Sequence, residues 1–126
     1  MSMSRMLLSI KPEYVKKILS GQKTYEFRKF HCHADIDTIV IYCTSPVKMV
    51  VAEAKLLNIV EGTSEDVWEQ TKGSGGITEQ AYNEYYQDRE TATAYHLGPV
   101  TIYETPISLS DVGLSYVPQS FAYLST

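Results

Sequence analysis

Hydrophobic positions along this chain switch repeatedly between a period of two and a helical period, and the switches outline its elements. Arg5 to Ile10 reads as a first strand, with Leu8 and Ile10 alternating around Ser9. Pro12 suits the first turn of a helix, where its missing N–H costs nothing. Tyr14, Val15, Ile18 and Leu19 then give an i, i+3, i+4 stripe, and Gly21 is well placed as the helix C-cap. Thr24 to Lys29 is a second strand, with Tyr25 and Phe27 on one face and Thr24, Glu26 and Arg28 on the other. A polar connection over residues 30–37 leads to Thr38–Cys43, TIVIYC, which is β-branched and aromatic almost throughout. Thr44-Ser45-Pro46 is the turn that ends it.

Lys48 to Val60 reads as a long strand that can bend, with Glu53 and Lys55 on its wet face. Thr63-Ser64-Glu65-Asp66 is a helix start, a hydroxyl cap followed by acids that suit the N-terminus, and the helix stops before Gly73-Ser74-Gly75-Gly76, read as a flexible loop. Thr78 to Gln87 restarts as helix with Ala81, Tyr82, Tyr85 and Tyr86 as its inner stripe. Thr93–Leu97 and Val100–Ile107 return to strand, broken by Gly98-Pro99, and the tail from Val117 to Leu124 reads as irregular or briefly helical. Several hairpin-like strands with helices in two clusters predict an α+β domain on a small mixed or antiparallel barrel.

The 126 residues are expected to form one domain, 1–126, long enough to bury roughly two thirds of the unfolded surface. No apolar run approaches the roughly 20 residues of a membrane span. The start, MSMSRMLLSI, lacks a cleavage-site pattern and is expected to lead into the first strand rather than to act as a signal peptide. Cys32 and Cys43 are too few for a disulfide framework, which makes a reducing cytoplasm the expected location. The net charge of −4 argues against indiscriminate nucleic-acid binding. Its distribution changes that picture. Residues 1–30 hold seven basic groups against two acids, a local charge of +5, and the rest of the chain is −9. An anionic ligand could therefore be focused on one end of the molecule, while the acidic remainder leaves room for a protein partner.

The chemistry concentrates in GQKTYEFRK, residues 21–29. Glu26 and Arg28, two apart on a strand, share a face, and a carboxylate beside a guanidinium orients it to grip a phosphate or a base edge. The competing reading is an exposed ion pair, typically worth under about 1 kcal/mol. Lys23 falls on the opposite parity, so strict alternation would not set it beside Glu26, although the chain can still turn just after Gly21. A buried lysine there could be a positive contact or a base. His31-Cys32-His33 lacks further ligands at metal spacing and reads as loop, so no metal or cofactor is expected. His96 reads as a half-buried structural histidine and Cys43 as inert core. Gly73 to Gly76 lacks the lysine and hydroxyl of a phosphate loop.

Gly21-x-Lys23-x-x-Glu26-x-Arg28 resembles the GxKxxExR signature of the ASCH domain, and the flanks LLSIKPEYVKKILSG, IVIYCTSPVKMVVAEAKL and PQSFAYL agree with it over essentially the whole chain. The resemblance implies a PUA-like β-barrel with helices beside a cleft floored by the motif. It further implies binding of RNA or a nucleoside or nucleotide, in RNA metabolism or transcriptional regulation. Lys23 and Arg28 would contact the ligand, with Glu26 orienting Arg28 or accepting from a base amino group. Lys11 would lie on the rim, Gly21 in the motif, and Ser45, Gln119 and Ser120 would add hydrogen bonds. Some members of the family cleave RNA, and one group hydrolyses acetylated cytidine. In that amidohydrolase group the motif lysine is catalytic and would map to Lys23, whereas its catalytic threonine falls where this chain has Glu26. If the chain is a hydrolase, Lys23 and Glu26 are therefore the expected catalytic pair.

Overall fold

A computed structural model describes residues 4–33 and 35–124, so Met1, Ser2 and Met3 of the amino-terminal stretch lie outside the described residues. The elements are β1 (Arg5–Ile10), α1 (Pro12–Leu19), β2 (Tyr25–Arg28), β3 (Thr38–Cys43) and β4 (Met49–Thr63). They continue with α2 (Ser64–Thr71), α3 (Glu79–Tyr85), β5 (Thr91–Ile107) and β6 (Phe121–Leu124). The fold is mixed α+β: the six strands form one curled half-barrel sheet in the order β2-β5-β4-β3-β1-β6. Among the described residues only the β1–β3 pair is parallel, the connection between them running through α1 and β2. No described helix is long and apolar enough to cross a membrane.

Both faces of the sheet's centre are covered, which explains why Met6, Leu7 and Leu8 are all fully buried rather than alternating. Met6, Leu8 and Ile10 join Val15 and Ile18 of α1 in one cluster. Leu7, Val40 and Tyr42 pack on the opposite side, where Tyr103, Ile107 and Leu109 cover them. A third cluster sets Phe27 against Val67 of α2, Tyr82 of α3 and Tyr86 just after it, so the apolar face of β2 is held by the helices. Of the two hydroxyls at the expected helix start, Thr63 caps α2, accepting from the Asp66 N–H at 3.1 Å.

Two elements differ from expectation. Gly98-Pro99 does not break the strand: Ala54 pairs with Val100 and Leu56 with Leu97, so two residues of β5 oppose Lys55 alone. That is a β-bulge, a position that tolerates a proline without an N–H to donate and bends the long β4–β5 ribbon. The tail also contains a strand. Phe121–Leu124 pairs antiparallel with β1, burying Ala122 and Leu124 on alternate positions. Four residues carry too little periodicity to announce a strand, and the free edge of β1 supplies the template.

Edge strands β2 and β6 face each other across the open side of the curl without a backbone ladder between them. Side chains close the gap. Phe30, just after β2, stacks on Phe121 of β6 with ring centroids 4.3 Å apart. Tyr95 on β5, fully buried, donates its hydroxyl hydrogen to the Phe30 carbonyl at 2.9 Å and accepts from the Cys32 N–H at 3.0 Å. Tyr95→Phe leaves both backbone groups unpartnered. Urea denaturation of that variant is expected to show a loss of about 1–3 kcal/mol at unchanged slope.

Candidate functional site

The motif's geometry begins with the end of α1. Ser20 caps the helix and Gly21 follows at φ +86°, the left-handed region that glycine enters without strain. The chain turns there, and the regular ladder starts only at Tyr25. Strand alternation therefore does not govern Lys23. Its side chain swings inward, 3% exposed, with Nζ 3.6 Å from Glu26 Oε1. The opposite-parity objection to this pairing is removed by the turn. Nζ donates to the Gly75 carbonyl at 2.7 Å and lies 5.3 Å from the centroid of Tyr14 and 4.8 Å from that of Phe27. Burial pushes the Lys23 pKa below its ordinary value, the Glu26 carboxylate opposing that shift.

Arg28 is 8% exposed, and each of its three guanidinium nitrogens donates within the protein. Nε and one terminal nitrogen donate to Glu26 Oε2 at 3.1 and 2.8 Å. That same terminal nitrogen reaches the Ser9 carbonyl at 2.8 Å. The other meets the Ser120 carbonyl at 3.3 Å and the Ser120 hydroxyl at 3.2 Å. The backbone N–H of Ser9 donates to the same Ser120 carbonyl at 2.9 Å, so strand β1, strand β2 and the tail meet at this one side chain. Arg28, expected as a ligand contact, lines the cleft and directs hydrogen bonds to Glu26, Ser9 and Ser120.

These residues lie on a cleft of about 560 Å³ at the open seam of the sheet. Lys23, Glu26 and Arg28 line it together with Lys11, Gln119 and Ser120, so the structure brings six of the expected site residues to one place. Lys11 and Gln119 are exposed at the margin and Ser120 is half-buried beside Arg28. Two expected contacts are not brought there. Gly21 is exposed at the helix end and borders a separate depression with Ile18 and Leu97. Ser45 is exposed in the turn after β3 and does not line the cleft, because that turn carries the chain on toward β4.

Several lining residues escaped the sequence reading. Tyr14 and Tyr85 border the cleft, although helical spacing had assigned them to core stripes. They occupy the half-buried flanks of their helices, which spacing alone does not separate from the centre. Glu84 lies beside Tyr85, and Ser9 is the polar interruption in an otherwise apolar β1 that serves as Arg28's acceptor. The loop 73–76 is not a flexible connection: its carbonyls receive hydrogen bonds from Thr24, Lys23 and Lys17. His31 and His33 are exposed while Cys32 turns inward, where burial pushes its thiol pKa up. Among the described residues no three His, Cys, Asp or Glu side chains gather as a metal site would require.

Residues 8–101 match the ASCH domain, and the chain belongs to that family. An ASCH domain-containing ribonuclease of Zymomonas mobilis is 39% identical over 92 residues, spanning 72% of this chain and 62% of that protein. The chain thus covers less than two thirds of that relative's length. A crystal structure of ASCH from Zymomonas mobilis superposes with a TM-score of 0.87 at 33% identity, covering 96% of this chain and 87% of the other. A single-substitution variant of the same protein matches equally well, at 32% identity and 90% coverage of its chain.

The clamp and the buried lysine each predict a measurement. Arg28→Met strands a buried carboxylate, and chemical denaturation should record a loss of about 3–5 kcal/mol, part of which Glu26→Gln in the same chain restores. For Lys23 the folded pKa lies below the unfolded value of 10.5. Between those two values the unfolded chain binds more protons than the folded one, so this group makes stability rise with pH through that window. The stability difference between wild type and Lys23→Met should therefore move in favour of wild type as pH climbs toward 10.5, measured by urea denaturation across the alkaline range.

Proposed function

We propose that the protein binds single-stranded RNA in the seam cleft and cleaves it there, with Lys23 and Glu26 as the reacting pair. The observation that carries this reading is the Lys23 ammonium: buried, fixed by Gly75 and turned to a cleft whose nearest carboxylate oxygen, Glu26 Oε1, accepts no hydrogen bond from Arg28. The Zymomonas relative named as a ribonuclease supports it at the level of family and fold. Tyr14 and Tyr85 line the cleft and supply aromatic surface for an unstacked base, the usual mode of single-strand RNA recognition. Lys11 at the margin, with the lysines of the +5 amino-terminal region, suits the phosphates that flank such a base.

The pair fits phosphodiester transesterification. Glu26 Oε1 takes the proton of a ribose 2′-hydroxyl, whose oxygen attacks the adjacent phosphorus. The bond from phosphorus to the 5′ oxygen breaks, leaving a 2′,3′-cyclic phosphate and a 5′-hydroxyl end that takes its proton from water. Lys23 neutralises the charge that grows on the non-bridging oxygens, its effect strengthened by the low-dielectric floor. Arg28 holds the Glu26 carboxyl group aimed. In this reading residues 1–126 work as one unit in RNA metabolism rather than in transcriptional regulation, and a reducing compartment such as the cytoplasm suits the two buried free thiols.

Incubation with a fluorescent RNA oligonucleotide tests the proposal. Wild type should produce fragments ending in cyclic phosphate, and both Lys23→Ala and Glu26→Gln should lower the rate by about 10²–10⁴-fold, the usual weight of one acid–base group. A strand carrying 2′-deoxy sugars should resist cleavage. Binding without any cleavage would reduce the protein to an RNA-binding module, and turnover of N-acylated nucleosides in place of RNA would make it an amidohydrolase.

A further inference from the structure

The loop between α2 and α3 carries an arrangement that lies outside the motif. Three successive carbonyls, those of Ser74, Gly75 and Gly76, accept from the Thr24 N–H at 2.8 Å, Lys23 Nζ at 2.7 Å and Lys17 Nζ at 3.1 Å. The loop thus grips one short stretch of chain, residues 17–24, from outside. It does so at a distance only glycine permits. A Cβ on Gly76 would stand 2.7 Å from Lys23 Cβ and 2.9 Å from its Cγ, and these are the near, inflexible atoms of that side chain. Gly76 also has φ +65°, which other residues adopt with strain. A Cβ on Gly75 would press on the Phe27 ring at 3.0 Å and on the Thr71 carbonyl at 3.3 Å. Gly73 meets nothing within 4 Å, so close approach is confined to the two glycines that touch the site.

We infer that Gly75 and Gly76 are positioning residues for Lys23: their side-chain-free backbone lets the loop seat against the lysine stem, and the Gly75 carbonyl holds the ammonium at the cleft floor. The inference rests on Lys23 being the reacting lysine of the proposed ribonuclease. The seat can nevertheless be tested without any turnover. Lys23 is buried between this loop and β2, and burial is the leading cause of its lowered pKa. Pushing the stem outward should return its titration toward that of an exposed lysine. Other charged groups face it from each packed element: Lys17 of α1, and Glu26 and Arg28 of β2. Glu26 and Arg28 make no hydrogen bond to the loop, whereas Lys17 donates to the Gly76 carbonyl and moves with it.

The experiment compares wild type, Gly73→Ala and Gly76→Ala by NMR of the Lys23 side chain across pH, alongside RNA cleavage. Gly73→Ala should match wild type in both. Gly76→Ala should shift the Lys23 titration upward, move the alkaline limb of the cleavage profile in the same direction, and cut the rate by on the order of 10²-fold. Should Gly76→Ala not fold, Gly76→Asn presents the same Cβ with a residue that tolerates positive φ better, and the same comparison applies. An unchanged Lys23 titration in the folded Gly76 variant overturns the inference. Absence of cleavage by wild type together with a shifted titration overturns the ribonuclease reading and leaves the positioning role intact.

Discussion

The guanidinium of Arg28 is the constraint on which the rest of this molecule depends. The sheet is a half-barrel whose two edges, β2 and β6, are not joined by a ladder. Arg28 spans the opening with its three guanidinium nitrogens, binding Glu26 on its own strand, Ser9 on β1 and Ser120 at the start of the tail strand. A ladder across this seam would have satisfied the backbone edges but filled the space with main chain. A long side chain with a planar fork closes the same distance and leaves a cleft beside it. The charge is desolvated in the process, and a buried ion pair contributes little net stability compared with an apolar alternative. Its retention makes sense as a device for geometry: it fixes where the Glu26 carboxylate points.

That fixing divides the motif into unequal roles. Glu26 has two oxygens, and Arg28 takes Oε2 twice, leaving Oε1 toward Lys23 and the cleft. Lys23 and Arg28 together bring two positive charges to one carboxylate, in surroundings where each group is less than a tenth exposed. An electron-rich partner entering the floor completes that charge balance, and it need not displace any hydrogen bond of Arg28. Of the two cations, Lys23 is the one whose charged form burial disfavours, and Arg28 the one whose hydrogen bonds span the seam.

Much of the fold was legible because its patterning is local. Pro12 at the first turn, Gly21 after the last, the Thr63 cap and the unbroken TIVIYC run each state an element through chemistry confined to a few residues. The misreadings share a cause. The bulge at Gly98-Pro99 and the strand at Phe121–Leu124 exist because another strand lies alongside, at Lys55 in one case and β1 in the other. A proline in a strand signals a break until a partner with one residue fewer is seen opposite it. Four tail residues signal nothing until an edge is free to receive them.

The site was legible in membership and not in assignment. Charge placed on an otherwise apolar strand singles out Lys23, Glu26 and Arg28, and the cleft does collect them. Which of the three has hydrogen-bonding capacity to spare is decided by acceptors far along the chain. Ser120 lies 92 residues from Arg28, and Gly75 lies 52 residues from Lys23. No spacing rule within β2 contains that information. The same holds for the glycine pair: consecutive glycines read as freedom in a sequence, and here they allow contact so close that the loop loses freedom. A side chain's role in such a site is set by which of its polar atoms remain unclaimed, and that is a property of the closed seam rather than of the motif.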